Sequence, residues 1–338
     1  MNGDNGQQAQ MWKISHWFGE RDRVDGGFVS DVLLDRMVAH GMSSAIVLRA
    51  AGGFGPARVL RSDDLLTLSE DPSVVVIAIG ERPLIDDWLG EGRSLQGRGM
   101  ITVERCRPVS AAVADPADEW EWKLSVFLGR GPAGYVDVVR SLHEHGIVGA
   151  SALLGVDGVV AGVRRRASMW SRNRQVPSLV LAVGDQRRIA AARNDLAEIV
   201  PGVELTVERV RVCRHDGAEI RPPEASEAAR WQRLTAYTSE AQLRDGVPAH
   251  RGIVQNLRAA GLTGATVLRG LWGFHGDHEP HGDRLWQLGR RVPVITTTVD
   301  TPERITRAYD VVSDLTSERG LVTVENVPEV LFPGAAEG

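Results

Sequence analysis

The chain has 338 residues, of which 43% are hydrophobic and 25% charged, with a formal net charge of −5 at neutral pH. That is the make-up of an ordinary globular protein of two or three domains. No run approaches the 18 consecutive apolar residues of a membrane span, so a spanning helix is excluded. The start, MNGDNGQQAQ, has neither the basic opening nor the apolar run of a signal peptide, so residues 1–11 are expected to be a disordered tail. With no export signal, Cys106 and Cys213 are expected to be free thiols in a reducing cytoplasm.

Along the chain one pattern of elements recurs three times. The first unit opens its first strand at Trp12 and ends its first helix at Gly41; the apolar strand AIVLRAAGGFG, a loop, SVVVIAIG from Ser73, a second helix and ITVERC from Ile101 follow. The second opens at Trp122 and runs through GIVGASALLGVDGVV from Gly146 and SLVLAVG from Ser178 to LTVERV from Leu205. The third has a strand at 231–237 and a helix with Ile253, Val254 and Leu257 on one face, stopped at Gly261. Strands at 265–270 and 292–299 follow, then a helix whose start carries Asp300, Thr301, Pro302 and Glu303, and a last strand at 321–327. From the helix-ending glycine to the valine of the closing strand is 62 residues (Gly41 to Val103), then 61 (Gly146 to Val207), then 63 (Gly261 to Val324). The copies themselves recur at periods near 105 to 117 residues (Gly41 to Gly146 is 105, Val207 to Val324 is 117), which makes each a small domain and not a solenoid repeat.

The order β-α-β-β-α-β is that of a ferredoxin-like unit, an antiparallel sheet with both helices on one face. The third strands are apolar at nearly every position, which predicts burial on both faces. Three sheets with bare faces hide them most economically against one another. The expected fold is therefore α+β, three tandem ferredoxin-like βαββαβ units packed as a single-chain pseudo-trimer. Repeats are expected at 12–107, 121–214 and 231–332, polar linkers at 108–120 and 215–230, and a tail at 333–338.

In detail, GLTGATVLRGLWGF, VPVITTTVDTPERI and ERGLVTVENV resemble the PII-like uncharacterised family, domain of unknown function 190, within the PII and CutA-like superfamily. The first unit is similar through AIVLRAAGGFG and LLTLSEDPSVVVIAI, whereas the second keeps the strand pattern without the Leu-Arg and Gly-Phe pairs. The resemblance implies a cytoplasmic, non-enzymatic signalling or regulatory protein whose loop after the second strand contacts a partner protein. It also implies a small anionic effector, an adenine nucleotide or similar, in clefts between units. Carried onto this chain, the ligand-binding candidates are Arg49, Gly53, Phe54 and Gly55 with Gly97, Arg98 and Gly99, and Arg269, Gly273 and Phe274 with Arg319 and Gly320. Glycines let backbone N–H groups converge on an anion beside an arginine; the plain alternative is a set of tight turns.

The three loops differ. Residues 121–214 carry a net +5 against −10 for the rest of the chain, and that excess sits in one loop with Arg164, Arg165, Arg166, Arg172 and Arg174 around Trp170. A protein partner or anionic ligand fits that loop better than nucleic acid, since one short loop gives a small footprint. A basic unit paired against acidic neighbours is the bland alternative. In the third loop His275, His278 and His281 lie among acids, a donor set suited to a divalent metal, so a CutA-like metal-binding protein is the alternative function. Catalysis has no motif behind it. Glu104, Glu208 and Glu325 recur at one strand position but are read as surface or inter-unit hydrogen-bonding residues, not as a paired-carboxylate site.

Overall fold

A computed structural model describes residues 11–62, 72–92, 99–112, 114–115, 118–129, 132–166, 176–224, 229–276, 279–282 and 292–332. The first repeat contains β1 (Met11–Gly19), a small hairpin of β2 (Arg23–Val24) and β3 (Gly27–Phe28), α1 (Val29–Ala39), β4 (Ser44–Arg49), β5 (Gly52–Phe54), β6 (Arg61–Ser62), β7 (Ser73–Glu81), α2 (Arg82–Gly92) and β8 (Met100–Pro108). The second has β9 (Glu121–Leu128), α3 (Pro132–Glu144), β10 (Gly149–Leu154), β11 (Asp157–Val160), β12 (Val163–Arg166), β13 (Ser178–Gly184), α4 (Gln186–Ile199) and β14 (Glu204–His215), with β15 (Ala218–Glu219) folding back on it. The third has β16 (Trp231–Ser239), the hairpin β17 (Leu243–Arg244) and β18 (Val247–Pro248), α5 (Ala249–Ala259), β19 (Ala265–Arg269), β20 (Trp272–His275), β21 (His281–Gly282), β22 (Pro293–Asp300), α6 (Pro302–Leu315), β23 (Leu321–Val327) and β24 (Glu329–Leu331). The result is a sheet-rich α+β chain of three tandem units and six α-helices among the described residues.

The same local chemistry ends the first helix of each repeat. Gly41, Gly146 and Gly261 take φ of 75°, 67° and 87°. The next amide (Met42, Ile147, Leu262) donates back to the carbonyl of Met37, Leu142 or Leu257, closing a Schellman turn whose hydrophobic residue is buried. At the start of α6 the residue before the cap makes the polar contacts. Thr301 makes no side-chain cap bond, while Asp300 accepts from the Thr301 amide at 2.9 Å and from the Thr263 amide and hydroxyl at 2.9 and 2.8 Å. The helix start is thereby tied to the turn after α5.

Within each repeat the first strand lies between the third and fourth, and the second strand flanks the third, all antiparallel. Each sheet packs its helices over a core of its own: Ile14, Leu33, Met37 and Trp88 in the first repeat, Leu124, Val138, Leu142 and Ile189 in the second, and Leu234, Ile253, Ile305 and Val312 in the third. The opposite faces meet in a fourth core drawn from all three repeats, including Ile46, Val75 and Ile79, Phe127, Leu179 and Val183, and Tyr237, Leu268 and Ile295. The continuous apolar runs of the third strands are explained by this double burial.

Two sets of strand pairings join the repeats, and each closes in a cycle. β5 pairs with β19, β20 with β10, and β11 with β4, so the segment after each second strand adds to the sheet of another repeat. The far end of each closing strand also pairs onward: β8 with β14, β14 with β23, and β24 with β8.

Candidate functional site

The segments after the second strands, expected to be loop bases, are short strands that clip one repeat to the next. Phe54 stands opposite Ala265, Phe274 opposite Ala150, and Val159 opposite Ala45. The preceding glycine allows the approach. A Cβ at Gly53, Gly273 or Gly158 would lie 2.1, 2.3 or 2.6 Å from the carbonyl oxygen of Ala265, Ala150 or Ala45. The aromatic ring then enters its neighbour's core: Phe54 is buried among third-repeat residues, and Phe274 among second-repeat residues with its ring 4.9 Å from that of His143. The Gly-Phe pairs are thus accounted for by inter-repeat packing, and the second repeat fills the same place with Gly158 and Val159.

Of the other ligand candidates, Arg49, Gly99, Arg269, Arg319 and Gly320 fall at one end of their own sheet, around the end of the first strand, but each makes separate contacts there. Arg49 pairs with Glu20 at 2.8 Å and Arg269 with Glu240 at 3.1 Å, each with an acid of its own repeat. Gly55 follows β5 as open turn backbone. Gly99 and Gly320 sit against the carbonyls of Trp17 and Tyr237, where a Cβ would come within 2.2 and 2.9 Å. Arg319 is exposed and its carbonyl accepts from Gln242 at 3.0 Å. Gly97 and Arg98 lie outside the described residues.

Arg164, Arg165 and Arg166 form β12, the outer strand of a hairpin with β11. Arg164 donates to Asp157 at 2.8 Å and reaches Asp31 at 3.3 Å and Asp35, both on α1; Arg166 reaches Asp31 at 3.3 Å. The basic segment therefore lies against acids of the first repeat. Trp170, Arg172 and Arg174 lie outside the described residues. In the third repeat, His275 shares a hydrogen bond with the Thr238 carbonyl at 3.2 Å and His281 with the Glu279 carbonyl at 3.0 Å, and His278 is outside the described residues. Among the described residues, the only three or more His, Cys, Asp or Glu whose ligand atoms lie within 4.8 Å of one another are Glu104, Glu208 and Glu325.

Of the two alternatives for that triad, surface or inter-unit, the structure takes the second. The three glutamates are close together and buried, and they are inter-unit groups, not surface ones. Lys13, Lys123 and Arg233 stand directly opposite them in the first strands. Each cation bridges the glutamate of its own repeat and that of another. Lys13 lies 2.9 Å from Glu104 and 2.6 Å from Glu208; Lys123 lies 3.3 Å from Glu208 and 2.5 Å from Glu325. Arg233 closes the ring with two 2.5 Å bonds to Glu104 and one of 3.1 Å to Glu325. All six side chains are at most 6% exposed. Recurrent WKIS, WKLS and QRLT in the first strands, set beside the recurrent Thr-Val-Glu, were the signal for it.

The ring is electrically balanced, three positive against three negative, so a divalent cation there would have to displace an ammonium or guanidinium group. Burial alone would raise Glu104 and Glu325, but the facing cations outweigh it and hold both carboxyls below the ordinary range, Glu104 well below. Glu208 is pushed up by burial, aided by the neighbouring Glu325 and Glu104; its two facing cations are both lysines and do not offset this, whereas each of the other glutamates has Arg233 as one of its two. Thr102 donates to Glu104 at 2.6 Å, whereas its counterpart Thr206 Oγ1 is buried without a hydrogen-bond partner among the described residues. The arrangement is built to hold repeats together; its chemistry is structural.

No helix among the described residues is long and apolar enough to cross a membrane. Comparison with known proteins gives three matches to one family profile. A UPF0166 protein of Aquifex aeolicus (strain VF5) is 31% identical over 99 residues, which are 29% of this chain and 91% of that protein. Among solved structures, an aspartate kinase from Synechocystis matches 94% of this chain, which spans 44% of the kinase's length, at 10% identity and a TM-score of 0.24. An unknown protein from Galdieria sulphuraria matches 59% of this chain and 98% of its own at 16% identity and a TM-score of 0.20. Likenesses this distant carry no argument. The family profile is that of DUF190, Uncharacterized ACR, and because it matches residues 11–108, 127–212 and 231–329, the chain belongs to that family as three tandem copies.

Proposed function

We propose that this chain is a non-enzymatic PII-like regulatory protein, three ferredoxin-like units closed into a single-chain pseudo-trimer. Its loops after the second strands contact a protein partner, and a small anionic effector, nucleotide-like, occupies one or two clefts between repeats. The observation that carries this reading is the reciprocal clip. Because β5, β11 and β20 each pair with a strand of another repeat, the root of every loop belongs to an inter-repeat seam. A ligand that favours one seam geometry therefore biases the loop growing from it, which is what a sensor requires. The relative of about one repeat's length supports the reading that three copies here do the work of separate subunits.

A panel of nucleotides tests the effector half. A ligand at 100 times its Kd adds about 2.7 kcal/mol to the stability of the folded state. A thermal shift of a few degrees is expected with at least one nucleotide at millimolar level, and it should be lost in Arg98→Ala or Arg319→Ala. No shift with any nucleotide removes the effector. A shift with zinc or copper, abolished by His278→Ala with His281→Ala, would favour the metal-binding alternative.

A further inference from the structure

We propose that the basic hairpin β11–β12 is a recognition element for an acidic helical segment of a partner protein, and that α1 of the first repeat occupies it as an internal competitor. The inference rests on the loop-contact part of the proposed function and is independent of the effector part. It starts from an inequality among the three seams. Two are plugged by an aromatic ring, Phe54 and Phe274; the third has only Val159 at that place. There, arginine–aspartate contacts stand in for the ring.

Asp31 and Asp35 are one helical turn apart and so share a face of α1. Arg164 reaches both, and Arg166 reaches Asp31 at 3.3 Å. A third carboxylate, Asp157, belongs to the hairpin itself and is 6% exposed. It takes the Arg164 Nη2 at 2.8 Å and Nε at 3.4 Å, which fixes the guanidinium plane and leaves Nη1 directed at α1. The hairpin thus carries a preorganised donor whose present acceptors are carboxylates spaced one turn apart on a helix.

The contact is also made to be exchanged. β11 is buried and paired to β4, whereas β12 pairs only with β11 among the described residues and is largely exposed. The Asp35 and Arg166 side chains are 69% and 63% exposed. Exposed ion pairs are weak and screened by salt, so a partner helix with the same carboxylate spacing displaces them once its concentration and its further contacts outweigh the effective concentration of the internal acids. An acidic protein segment is favoured over nucleic acid because two guanidinium groups on one short strand give a small footprint for a phosphate backbone.

The test uses the full chain and a labelled, alanine-based helical peptide of about 17 residues, long enough to hold a helix. The peptide carries aspartates one turn apart, with an asparagine version as control, and binding is read by fluorescence anisotropy at low salt. Asp31→Asn with Asp35→Asn should bind the acidic peptide about 3- to 10-fold more tightly than the parent chain, because a larger fraction of hairpins is free. The same variant should show faster hydrogen exchange in residues 163–166. Arg164→Gln with Arg166→Gln should lose the peptide while melting as a folded protein, and about 0.5 M salt should abolish binding. The proposal is overturned if the aspartate variant binds no more tightly than the parent, or if a single-stranded oligonucleotide of equal charge outcompetes the peptide. A negative nucleotide panel leaves every one of these outcomes readable.

Discussion

Replacing Glu104 by glutamine tests the buried ring most directly. The substitution keeps the shape of the side chain and removes its charge. Three cations then face two carboxylates in a space where every ring member is at most 6% exposed. The contacts at stake are the two-pronged Arg233 contact at 2.5 Å, the Lys13 contact at 2.9 Å and the Thr102 hydroxyl bond at 2.6 Å; an amide keeps one acceptor oxygen and turns the other into a donor facing cations. Breaking one side of a buried ion pair costs about 3–5 kcal/mol, mostly because the surviving charge is left unpaired. If all 338 residues unfold as one unit, the unfolding entropy is about 0.7 kcal/mol per degree, and a loss of about 4 kcal/mol lowers Tm by about 6 °C. If instead the first repeat unfolds alone, as a unit of about 100 residues, the same loss lowers its Tm by about 19 °C and leaves the other two untouched. Calorimetry separates the cases. One transition displaced by about 6 °C is expected, and the pair Arg233→Met with Glu104→Leu, which restores charge balance, should cost less than Glu104→Gln alone. A shift below about 1 °C, or three transitions of which one moves, would refute the account of a ring that binds the repeats into one cooperative unit.

Further tests follow from the same geometry. Phe274→Ala should cost about 3–5 kcal/mol, and although the residue belongs to the third repeat, hydrogen exchange should quicken in α3 of the second, since the ring fills that core. Gly273→Ala should cost at least about 1–3 kcal/mol by overpacking, because its Cβ meets backbone 2.3 Å away that cannot turn aside; an unchanged melting curve would contradict the clip. On acidification, the stability contributed by Glu104 and Glu325, whose carboxyls are held down in the folded chain, is fully present above the unfolded carboxylate value of about 4.3 and is lost as pH falls through the folded values. Glu208 is raised and works in the opposite sense, so at neutral pH Glu208→Gln should cost less than Glu104→Gln. Tm should hold from about pH 8 to 5 and fall below about pH 4; a Tm that rises steadily to pH 3 would reverse the sign of the argument. Burial pushes the Cys213 thiol up to about 12 and the Cys106 thiol higher, so neither should react with a thiol reagent before the chain unfolds.

Much of the architecture could be read from the chain because it is carried by local rules repeated three times. A glycine that takes φ of 75° to end a helix announces itself wherever it occurs, and a strand such as Ser73–Glu81, buried on both faces, cannot alternate. The small hairpins at Arg23–Phe28 and Leu243–Pro248 were not among the expected elements, although they turn on Asp25-Gly26 and Asp245-Gly246, dipeptides that signal a turn. The candidate site was harder because its meaning is non-local. Gly53 and Phe54 look like a flexible loop base until Ala265, more than 200 residues on, is seen to lie against them. A glutamate in an otherwise apolar strand reads as outward-facing, since an isolated buried charge is too costly to expect. Only the matching cation in the first strand, aligned residue for residue with it, cancels that cost, and one repeat taken alone shows half of the partners.

The ring also shows how fusing three copies has changed them. The first repeat runs on along the chain to the second and the second to the third, but nothing covalent joins the third to the first. That seam carries the one arginine of the ring, and Arg233 uses both Nη atoms on Glu104 and a further bond of 2.9 Å to Thr102. A planar fork fixes direction as well as charge, which an ammonium group does not. Three more contacts meet at the same seam: β24 laid along β8, Glu329 held by Arg82 at 2.8 Å, and Phe54 seated in the third repeat's core. The seam between the first two repeats, which follow one another along the chain, has Val159 in place of a ring, arginine–aspartate pairs, and Glu204 accepting from the Ser43 and Ser44 hydroxyls at 2.7 and 2.6 Å. Directional contacts therefore hold both seams, and what sets the second apart is the arginine–aspartate set beside Val159, the contact that an acidic partner helix would take over under the proposal above.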